Sequence, residues 1–183
     1  MPRFSIVVPA YNAEATLAET LDAVCAQTHA DWECVVVDDG SMDGTAAMVR
    51  SYAERDERFR LLQQENQGAA AAHNAGAARA LGEFIVVCAA DDFLLPPHLQ
   101  VMSDLIDANP ACDIFSCNGD FLYDSTGVRK TVYSTREWMR ERSLSFKQVL
   151  RECFFGVGAV YRRSLLDTVG GYRIGVYSDD YDL

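Results

Sequence analysis

Basic residues are scarce in this sequence. It has 16 lysines and arginines against 27 aspartates and glutamates, which gives a formal net charge of −11 over 183 residues. A surface of this sign repels a nucleic-acid backbone, so we expect no nucleic-acid partner. A phosphorylated small molecule remains compatible, because a cation or a helix N-terminus supplies positive potential locally.

The chain also has no disulfide framework of the kind that stabilises small secreted domains. Its six cysteines include no Cys-x-x-Cys pair, and three of them lie in apolar runs. We interpret them as free thiols in a reducing compartment. No apolar run is long enough to span a membrane, and the N-terminus has no signal-peptide pattern, so we expect a cytoplasmic location.

Two common nucleotide-binding motifs are missing. The segment after the first predicted strand, "VPAYNAEAT", has no glycine fingerprint, and no G-K-[ST] motif occurs in the chain. These absences exclude a dinucleotide dehydrogenase and a P-loop enzyme. The run "VVVDDGS" is similar to the acidic pocket of a phosphoacceptor receiver domain. A receiver domain, however, has no use for a second acidic strand end, and this chain has one.

The pattern that is present is an alternation of short β-rich runs with helical periodicity. Strands are predicted over 4–11, 32–41, 59–64 and 83–90, and helices over 17–25, 43–58, 68–80 and 96–109. This βαβαβαβα order predicts a single α/β domain with a doubly wound, mainly parallel mixed sheet. The strands are almost continuously apolar, which is typical of a sheet covered on both faces.

The pattern changes after residue 110. The runs "CDIFSCN" and "GDFLYD…GVRKTVY" predict further strands, the second with a hairpin around 125–127, and "VGAVYRRSLL" predicts a strand that leads into a helix. The final "GVYSDDYDL" stops in what reads as the start of a helix, so we expect a C-terminally truncated piece of a longer protein. We assign residues 1–110 to nucleotide binding and 111–183 to the acceptor side.

Adjacent aspartates end two of the predicted strands: Asp38 and Asp39 in "VVVDDGS", and Asp91 and Asp92 in "CAADDFLLP". A single such pair is usually a turn or a helix cap, and Ser41 or Asp43 could cap the helix that follows. Two pairs in one α/β pattern favour a ligand site, because parallel strands end on one edge. Four carboxylates there need a divalent cation or hydrogen-bond donors between them.

An ordered set of motifs then suggests a family. "SIVVPAYN", "VVVDDGSMDGT", "ENQGAAAAHNAGAARALGEFI", "CAADDFLLP", "GAVYRRSLLDTVGGY" and "SDDYDL" together resemble family 2 glycosyltransferases with the GT-A fold of nucleotide-diphospho-sugar transferases. The resemblance implies inverting transfer of a sugar from a nucleotide-sugar donor, most often UDP-linked, to a hydroxyl of a saccharide or lipid-linked acceptor. It implies Mg²⁺ or Mn²⁺ as cofactor and a role in polysaccharide or glycoconjugate synthesis. A catalytically impaired nucleotide-sugar-binding protein is the alternative.

The resemblance also implies a set of nucleotide contacts at the first two strand ends. By position in the motifs, Pro9, Tyr11 and Asn12 line the nucleotide pocket. Asp39, with Asp38 beside it, accepts hydrogen bonds from the base or the ribose.

The remaining roles implied by the resemblance belong to later motifs. Asp91 lies near the ribose and diphosphate, and Asp92 binds the metal ion. In "SDDYDL", Asp180 is the catalytic base, with Asp179 beside it and Asp182 in a supporting role. A general base of this kind typically contributes about 10²–10⁴-fold to the rate.

Two positions depart from the family pattern. Ala89 stands where many members have an aspartate, which predicts fewer protein ligands for the metal ion. His73 stands where the family favours arginine. We place His73 among the donor-binding residues, and a packing role on the Ala-rich helix is equally supported. The basic-leaning stretch 135–152 is most simply a solvated face, and peripheral contact with a membrane surface is the less favoured interpretation.

Overall fold

The computed structural model describes residues 1–116, 120–122, 129–131 and 158–172. The predicted alternation of strands and helices is confirmed in the first 110 residues. In chain order the elements are β1 (Phe4–Ala10), α1 (Leu17–Cys25), β2 (Trp32–Asp38), α2 (Thr45–Ala53), β3 (Phe59–Gln63), α3 (Ala69–Arg79), β4 (Phe84–Val87), α4 (His98–Ala108), β5 (Ile114–Phe115), β6 (Asp120–Leu122), β7 (Arg129–Thr131), β8 (Val160–Arg162) and α5 (Leu165–Val169).

Six strands form the main sheet in the order β3-β2-β1-β4-β8-β5. The first four are parallel, with Ala10 of β1 opposite Asp38 of β2 and Val7 opposite Val87 of β4, whereas β8 runs antiparallel to both neighbours. The chain moves outward from β1 to β3 and then returns to β4 on the other side of β1. This reversal confirms the doubly wound, mixed sheet, and it places a topological switch point between β1 and β4.

Helices cover both faces of this sheet. Alternate residues of β1 separate the two sides: Phe4, Ile6 and Val8 belong to the large core beneath α1, α2 and α4, whereas Val7 faces α3. On the second side α3 and α5 pack against the sheet. Strand residues buried on both faces explain why the strands read as continuous apolar runs.

Helix α3 lies unusually close to the sheet, and Gly76 permits this approach. A Cβ atom at Gly76 would stand 2.5 Å from Cγ1 of Val7 and 2.9 Å from Cγ2 of Val37. We therefore expect Gly76→Ala to lower the free energy of unfolding by about 1–3 kcal/mol through overpacking. Urea denaturation measures this loss. Ala78→Ser, on the exposed side of the same helix, should change stability by no more than about 0.5 kcal/mol, and an equal loss in the two variants would contradict the close packing.

Several predicted boundaries differ from the structure. Strand β4 ends at Val87 rather than at 90, because the chain turns just after Cys88, where the Asp92 N–H bonds to the Ala89 carbonyl. Helix α2 ends at Ala53 rather than at 58. Neither predicted cap precedes its first turn directly: Gly44 holds that position, and Asp43, one residue earlier, accepts a hydrogen bond from the Thr45 N–H at 3.0 Å.

Other predictions beyond residue 110 are confirmed where the structure describes them. Strands β6 and β7 pair antiparallel, and β8 leads into α5. The hairpin predicted around 125–127 lies outside the described residues. The four cysteines in the described ranges are free thiols. No helix within those ranges has the length and apolar character to cross a bilayer.

Candidate functional site at the carboxyl edge of the sheet

The loops that follow β1, β2 and β4 meet at one edge of the sheet. Strands β2 and β4 both pair in parallel with β1, one on each side. Their carboxyl ends therefore lie on the same edge, two strand spacings or about 10 Å apart. The Asp38–Asp39 pair lies on one side of the switch point and the Asp91–Asp92 pair on the other.

Asp39 is held almost entirely inside the protein. Only 2% of the surface of Asp39 is exposed to solvent. Oδ1 accepts hydrogen bonds from Gln64 Nε2 at 2.7 Å and from the Gln67 N–H at 2.9 Å, and Oδ2 accepts one from the Gly68 N–H at 2.8 Å. A carboxylate offers about four acceptor positions, so among the described donors one position on Oδ2 is left over.

Asp38 is buried in a similar way, at 1% exposure. Its Oδ1 accepts a hydrogen bond from the Ser41 N–H at 3.0 Å, and its Oδ2 accepts one from Gln63 Nε2 at 2.9 Å. The sequence left open whether a cation or hydrogen-bond donors would stabilise the paired acids. For Asp38 and Asp39 the structure provides donors from β3 and the loops.

Gln63 and Gln64 carry no distinctive sequence signal, because they lie at the end of the weakly predicted third strand. Gln63 is the register partner of Asp38 in the β2–β3 pair, and Gln64 follows it. Both side chains therefore reach the acids from the neighbouring strand end. Their position alone could have pointed to them, because polar residues that follow a parallel strand also lie at the ligand-binding edge.

The loop after β1 is fixed by contacts with the loop after β2. Asn12 adopts a left-handed conformation with φ of 49°, which asparagine tolerates better than most residues. Its N–H donates to Ser41 Oγ at 2.9 Å, and its side-chain Oδ1 accepts from the Met42 N–H at 2.9 Å. Asn12 thus joins the two loops. Tyr11 beside it is 53% exposed, so its ring is available for stacking, and Pro9 is half-buried within β1.

The acidic turn after β4 is supported from α1. Asp91 is exposed and Asp92 is half-buried, and the Asp92 N–H donates to the Ala89 carbonyl at 3.2 Å. Thr16 Oγ1 donates to the Ala90 carbonyl at 2.9 Å and so connects the loop before α1 to this turn. Beneath the turn, burial raises the pKa of the Cys88 thiol, with the charges of Asp92 and Asp91 adding to the effect. Cys88 is therefore an inert core thiol.

The segment that continues from this turn is fixed by one buried amide. Gln27, two residues after the end of α1, donates through Nε2 to the carbonyls of Leu94 at 3.2 Å and Leu95 at 2.9 Å. Its Oε1 accepts a hydrogen bond from the Leu99 N–H at 3.1 Å. Three bonds from one side chain hold both ends of this segment, so the acidic turn has a rigid support.

The carboxylates of the acidic turn suit a hard cation such as Mg²⁺ only if a bound diphosphate supplies further oxygen ligands. Within the described ranges, no group of three or more histidine, cysteine, aspartate or glutamate side chains is placed to hold a metal ion. Mg²⁺ is commonly held by one or two carboxylates together with substrate phosphates and water. Asp92, with Asp91 beside it, fits that arrangement. The methyl side chain of Ala89 carries no ligand atom, so the smaller ligand set stays a prediction.

His73 lies inside the protein rather than at the surface of the site. It is 4% exposed, and its Nε2 is 2.9 Å from the hydroxyl of Tyr161 in β8. Its ring makes an edge-on contact with Tyr172 at a centroid distance of 4.6 Å. Burial lowers the pKa of His73 to about 4, so the ring is neutral near pH 7. These contacts support the packing interpretation, and a contact between His73 and the donor stays a prediction.

Acidification should destabilise the protein partly through His73. Its pKa is about 4 in the folded state, whereas the ordinary value of about 6.5 applies when the chain unfolds. Between about pH 6.5 and 4 the unfolded state binds the proton more readily than the folded state. The free energy of unfolding therefore decreases as the pH is lowered, by up to about 3 kcal/mol. Urea denaturation of wild type and His73→Gln at pH 7.5 and 4.5 measures this. The advantage of wild type should shrink at the lower pH, and a constant difference would contradict a buried neutral ring.

The predicted base lies outside the described residues. This applies to Asp180 and to its neighbours Asp179 and Asp182, all of which belong to the segment 173–183. Their roles, like the ligand contacts proposed for the residues at the sheet edge, stay predictions.

Known proteins resemble this chain in both sequence and fold. It is 30% identical over 165 residues to the Escherichia coli protein named UDP-Glc:alpha-D-GlcNAc-diphosphoundecaprenol beta-1,3-glucosyltransferase WfgD, with 89% of this chain and 61% of WfgD covered. The structure of Staphylococcus aureus TarS 1-349 with UDP-GlcNAc superposes with a TM-score of 0.79 at 24% identity, covering 99% of this chain and 51% of TarS. The TarS likeness supports the GT-A fold.

A further solved structure carries a metal ion. The mannosyltransferase PcManGT of Pyrobaculum calidifontis, in complex with GDP-Man and Mn²⁺, is 29% identical with a TM-score of 0.70, covering 98% of this chain and 50% of PcManGT. Three of the curated relatives are matched over 48%, 20% and 37% of their length, so this chain spans about half of them or less. The sequence profile described as Glycosyl transferase family 2 matches residues 5–170. The chain therefore belongs to glycosyl transferase family 2.

Proposed function

We propose that this protein transfers a sugar, with inversion at the anomeric carbon, from a UDP-linked donor to a hydroxyl of a saccharide or lipid-linked acceptor in glycan synthesis. The observation that carries the proposal is the arrangement at the sheet edge. A buried acceptor, Asp39, lies on one side of β1 and the acidic turn at Asp91 and Asp92 on the other. Family membership supplies the reaction class.

The residues of this edge suit a uridine diphosphate. Uracil has one ring N–H, which matches the one acceptor position left on Asp39 by its described donors. The exposed ring of Tyr11 offers a stacking surface beside it. Asp91 would accept hydrogen bonds from ribose hydroxyls. WfgD carries UDP-Glc in its name and TarS was solved with UDP-GlcNAc, whereas PcManGT was solved with GDP-Man.

The acids beyond the nucleotide pocket would serve the chemical step. The acceptor oxygen forms a bond to the anomeric carbon as the bond from that carbon to the diphosphate oxygen breaks, and the diphosphate leaves with the electron pair. Asp180 accepts the proton of the acceptor hydroxyl. Asp92 would hold Mg²⁺ or Mn²⁺, and the bound ion supplies positive charge for the leaving diphosphate. A single displacement of this kind inverts the configuration and needs one base.

A donor panel tests the proposal. Nucleotide diphosphate release is measured with UDP-glucose, UDP-GlcNAc and GDP-mannose, with Mn²⁺ or with EDTA, and with undecaprenyl-diphosphate-linked GlcNAc or soluble oligosaccharides as acceptors. We expect Mn²⁺-dependent release from a UDP-sugar and a product whose anomeric configuration, read by NMR, is opposite to that of the donor. UDP-sugar binding by calorimetry without turnover would instead identify a catalytically impaired nucleotide-sugar-binding protein.

A further inference from the structure

We propose that Asn74 is a positioning residue that fixes the chain leading to the catalytic base. Asn74 lies on α3, and its side chain makes two hydrogen bonds to the backbone of Tyr172, which follows Gly170 and Gly171 in a turn. Tyr172 precedes Asp180 by eight residues in the sequence. The inference rests on the proposed function, because it assigns Asn74 a part in the step that Asp180 would serve.

The contact between Asn74 and Tyr172 is a paired hydrogen bond. Nδ2 of Asn74 donates to the Tyr172 carbonyl at 2.7 Å, and the Tyr172 N–H donates to Oδ1 of Asn74 at 2.8 Å. The side-chain amide thus satisfies both polar groups of one backbone residue, as a neighbouring β-strand would. Two bonds from a rigid planar group fix both the position and the orientation of that residue. Asparagine is the side chain whose length and donor–acceptor pair fit here.

The glycines before Tyr172 fit this grip closely. Gly170 and Gly171 both have φ of +83°, a conformation that side-chain-bearing residues rarely adopt. A Cβ atom at Gly171 would lie 2.6 Å from Oδ1 of Asn74, whereas a Cβ atom at Gly170 would meet nothing within 4 Å. Of the two glycines, therefore, only Gly171 must lack a side chain for the contact with Asn74 to form.

A second contact joins the same helix to the strand before α5. His73, next to Asn74, bonds to the hydroxyl of Tyr161 in β8 and packs edge-on against the ring of Tyr172. His73 and Asn74 together attach α3 to β8 and to the turn that follows α5. His73 is buried and Asn74 is half-buried, so their hydrogen bonds are shielded from competing water.

Helix α3 also reaches the nucleotide side of the site. The two residues that precede it, Gln67 and Gly68, donate their N–H groups to Asp39. From Gly68 to Asn74 is six residues, about 9 Å along a helix axis. Helix α3 thus fixes the distance between Asp39, which we expect to bind the nucleotide base, and the turn at Tyr172 that precedes Asp180. A displacement of about 1 Å between reacting groups can cost about 10²-fold in rate, so this relation matters for catalysis.

Substitution of Asn74 tests the inference. Asn74→Ala removes both bonds, and Asn74→Asp keeps the acceptor but replaces the donor to the Tyr172 carbonyl with a charge. We expect each to lower kcat of sugar transfer about 10–100-fold and to leave the dissociation constant of UDP within about twofold, since Asn74 makes no contact with Asp39 in the described structure. Asn109→Ala is the matched control, because in the described ranges the side chain of Asn109 donates to the Leu105 carbonyl of the preceding helix α4. An unchanged kcat in the two Asn74 variants would overturn the proposal.

The two glycines give an independent test from the other side of the contact. Gly170→Ala introduces the backbone strain alone, whereas Gly171→Ala adds a collision with Asn74. We expect Gly171→Ala to reduce kcat more than Gly170→Ala. In the Asn74→Ala background the effect of Gly171→Ala should fall to that of Gly170→Ala, because the collision partner is gone. Strictly additive effects on kcat would contradict a shared contact.

Hydrogen exchange distinguishes this inference from the proposed function. Peptides that cover 170–183 should exchange faster in Asn74→Ala than in wild type, whereas peptides of β1 and β2 should not. This result does not depend on turnover. If wild type transfers no sugar from any donor, the proposed function fails while the exchange result still decides whether Asn74 holds the turn. If the 170–183 peptides of Asn74→Ala exchange as in wild type, and the thermal stability of the variant is unchanged, Asn74 does not hold the turn at Tyr172.

Discussion

Replacement of Asp180 by asparagine is expected to slow sugar transfer by about 10²–10⁴-fold, which is the usual contribution of a general base. The acceptor hydroxyl must lose its proton as it attacks the anomeric carbon, and the amide that replaces the carboxylate does not accept it. Nucleotide binding should be unaffected, because we assign the nucleotide contacts to other residues. Steady-state kinetics should therefore show a lower kcat with little change in KM for the donor, and calorimetry should give an unchanged dissociation constant for UDP.

Asp167→Asn serves as the matched control for Asp180→Asn. Asp167 is an exposed acid in the first turn of α5, and the same chemical change there should leave kcat within about twofold of wild type. If Asp180→Asn retains full activity, the base lies elsewhere. Asp179→Asn then becomes the informative variant, because Asp179 is the adjacent carboxylate in the same motif.

The first four strands and their order could be predicted from the sequence because local pattern decides them. Their β-branched runs are long, and helix signals separate them, as in "WECVVVDD" before the α2 sequence. The parallel arrangement then places both acidic pairs on one edge without further information. For that reason the position of the candidate site follows from the amino-acid sequence alone.

The contacts within the site could not be predicted in the same way. Gln64 reaches Asp39 across 25 residues, and Asn74 reaches Tyr172 across 98. Long-range pairings of this kind leave no local periodicity, and asparagine and glutamine also occur freely at surfaces. The burial of His73 was equally hidden, because on an Ala-rich helix the sequence does not say which side faces β8.

The paired acids also show that one sequence motif can have two structural outcomes. Asp38 and Asp39 are buried and accept hydrogen bonds from the protein, whereas Asp91 is exposed on a turn held by Thr16 and Gln27. The difference follows from strand position. The outer neighbour of β2 is the parallel β3, and β3 with the loop after it supplies donors to Asp38 and Asp39. The outer neighbour of β4 is the antiparallel β8. Asp91 is therefore exposed at the edge where we propose that the donor binds.

Replacement of Asp92 is the second variant with a large expected effect. Asp92→Asn should lower sugar transfer by about 10²–10³-fold, comparable to removing one group that stabilises transition-state charge, and it should raise the Mn²⁺ concentration needed for half-maximal activity. The amide oxygen is a weaker ligand for a hard cation than a carboxylate. Because Ala89 replaces a further acid that many family members have, this chain has few other carboxylates in the turn to compensate. Activity is titrated with Mn²⁺ at a saturating UDP-sugar concentration.

Two companion variants make the Asp92 prediction specific. Asp91→Asn should chiefly raise KM for the donor, because we place Asp91 at the ribose and diphosphate. Ala89→Asp adds a third carboxylate to the same turn and should lower the Mn²⁺ requirement, since affinity for a hard cation rises with the number of charged ligands. If Asp92→Asn responds to Mn²⁺ as wild type does, Asp92 does not hold the ion. The acidic turn would then act on the donor through hydrogen bonds alone, and residues outside the described ranges would have to supply the metal ligands.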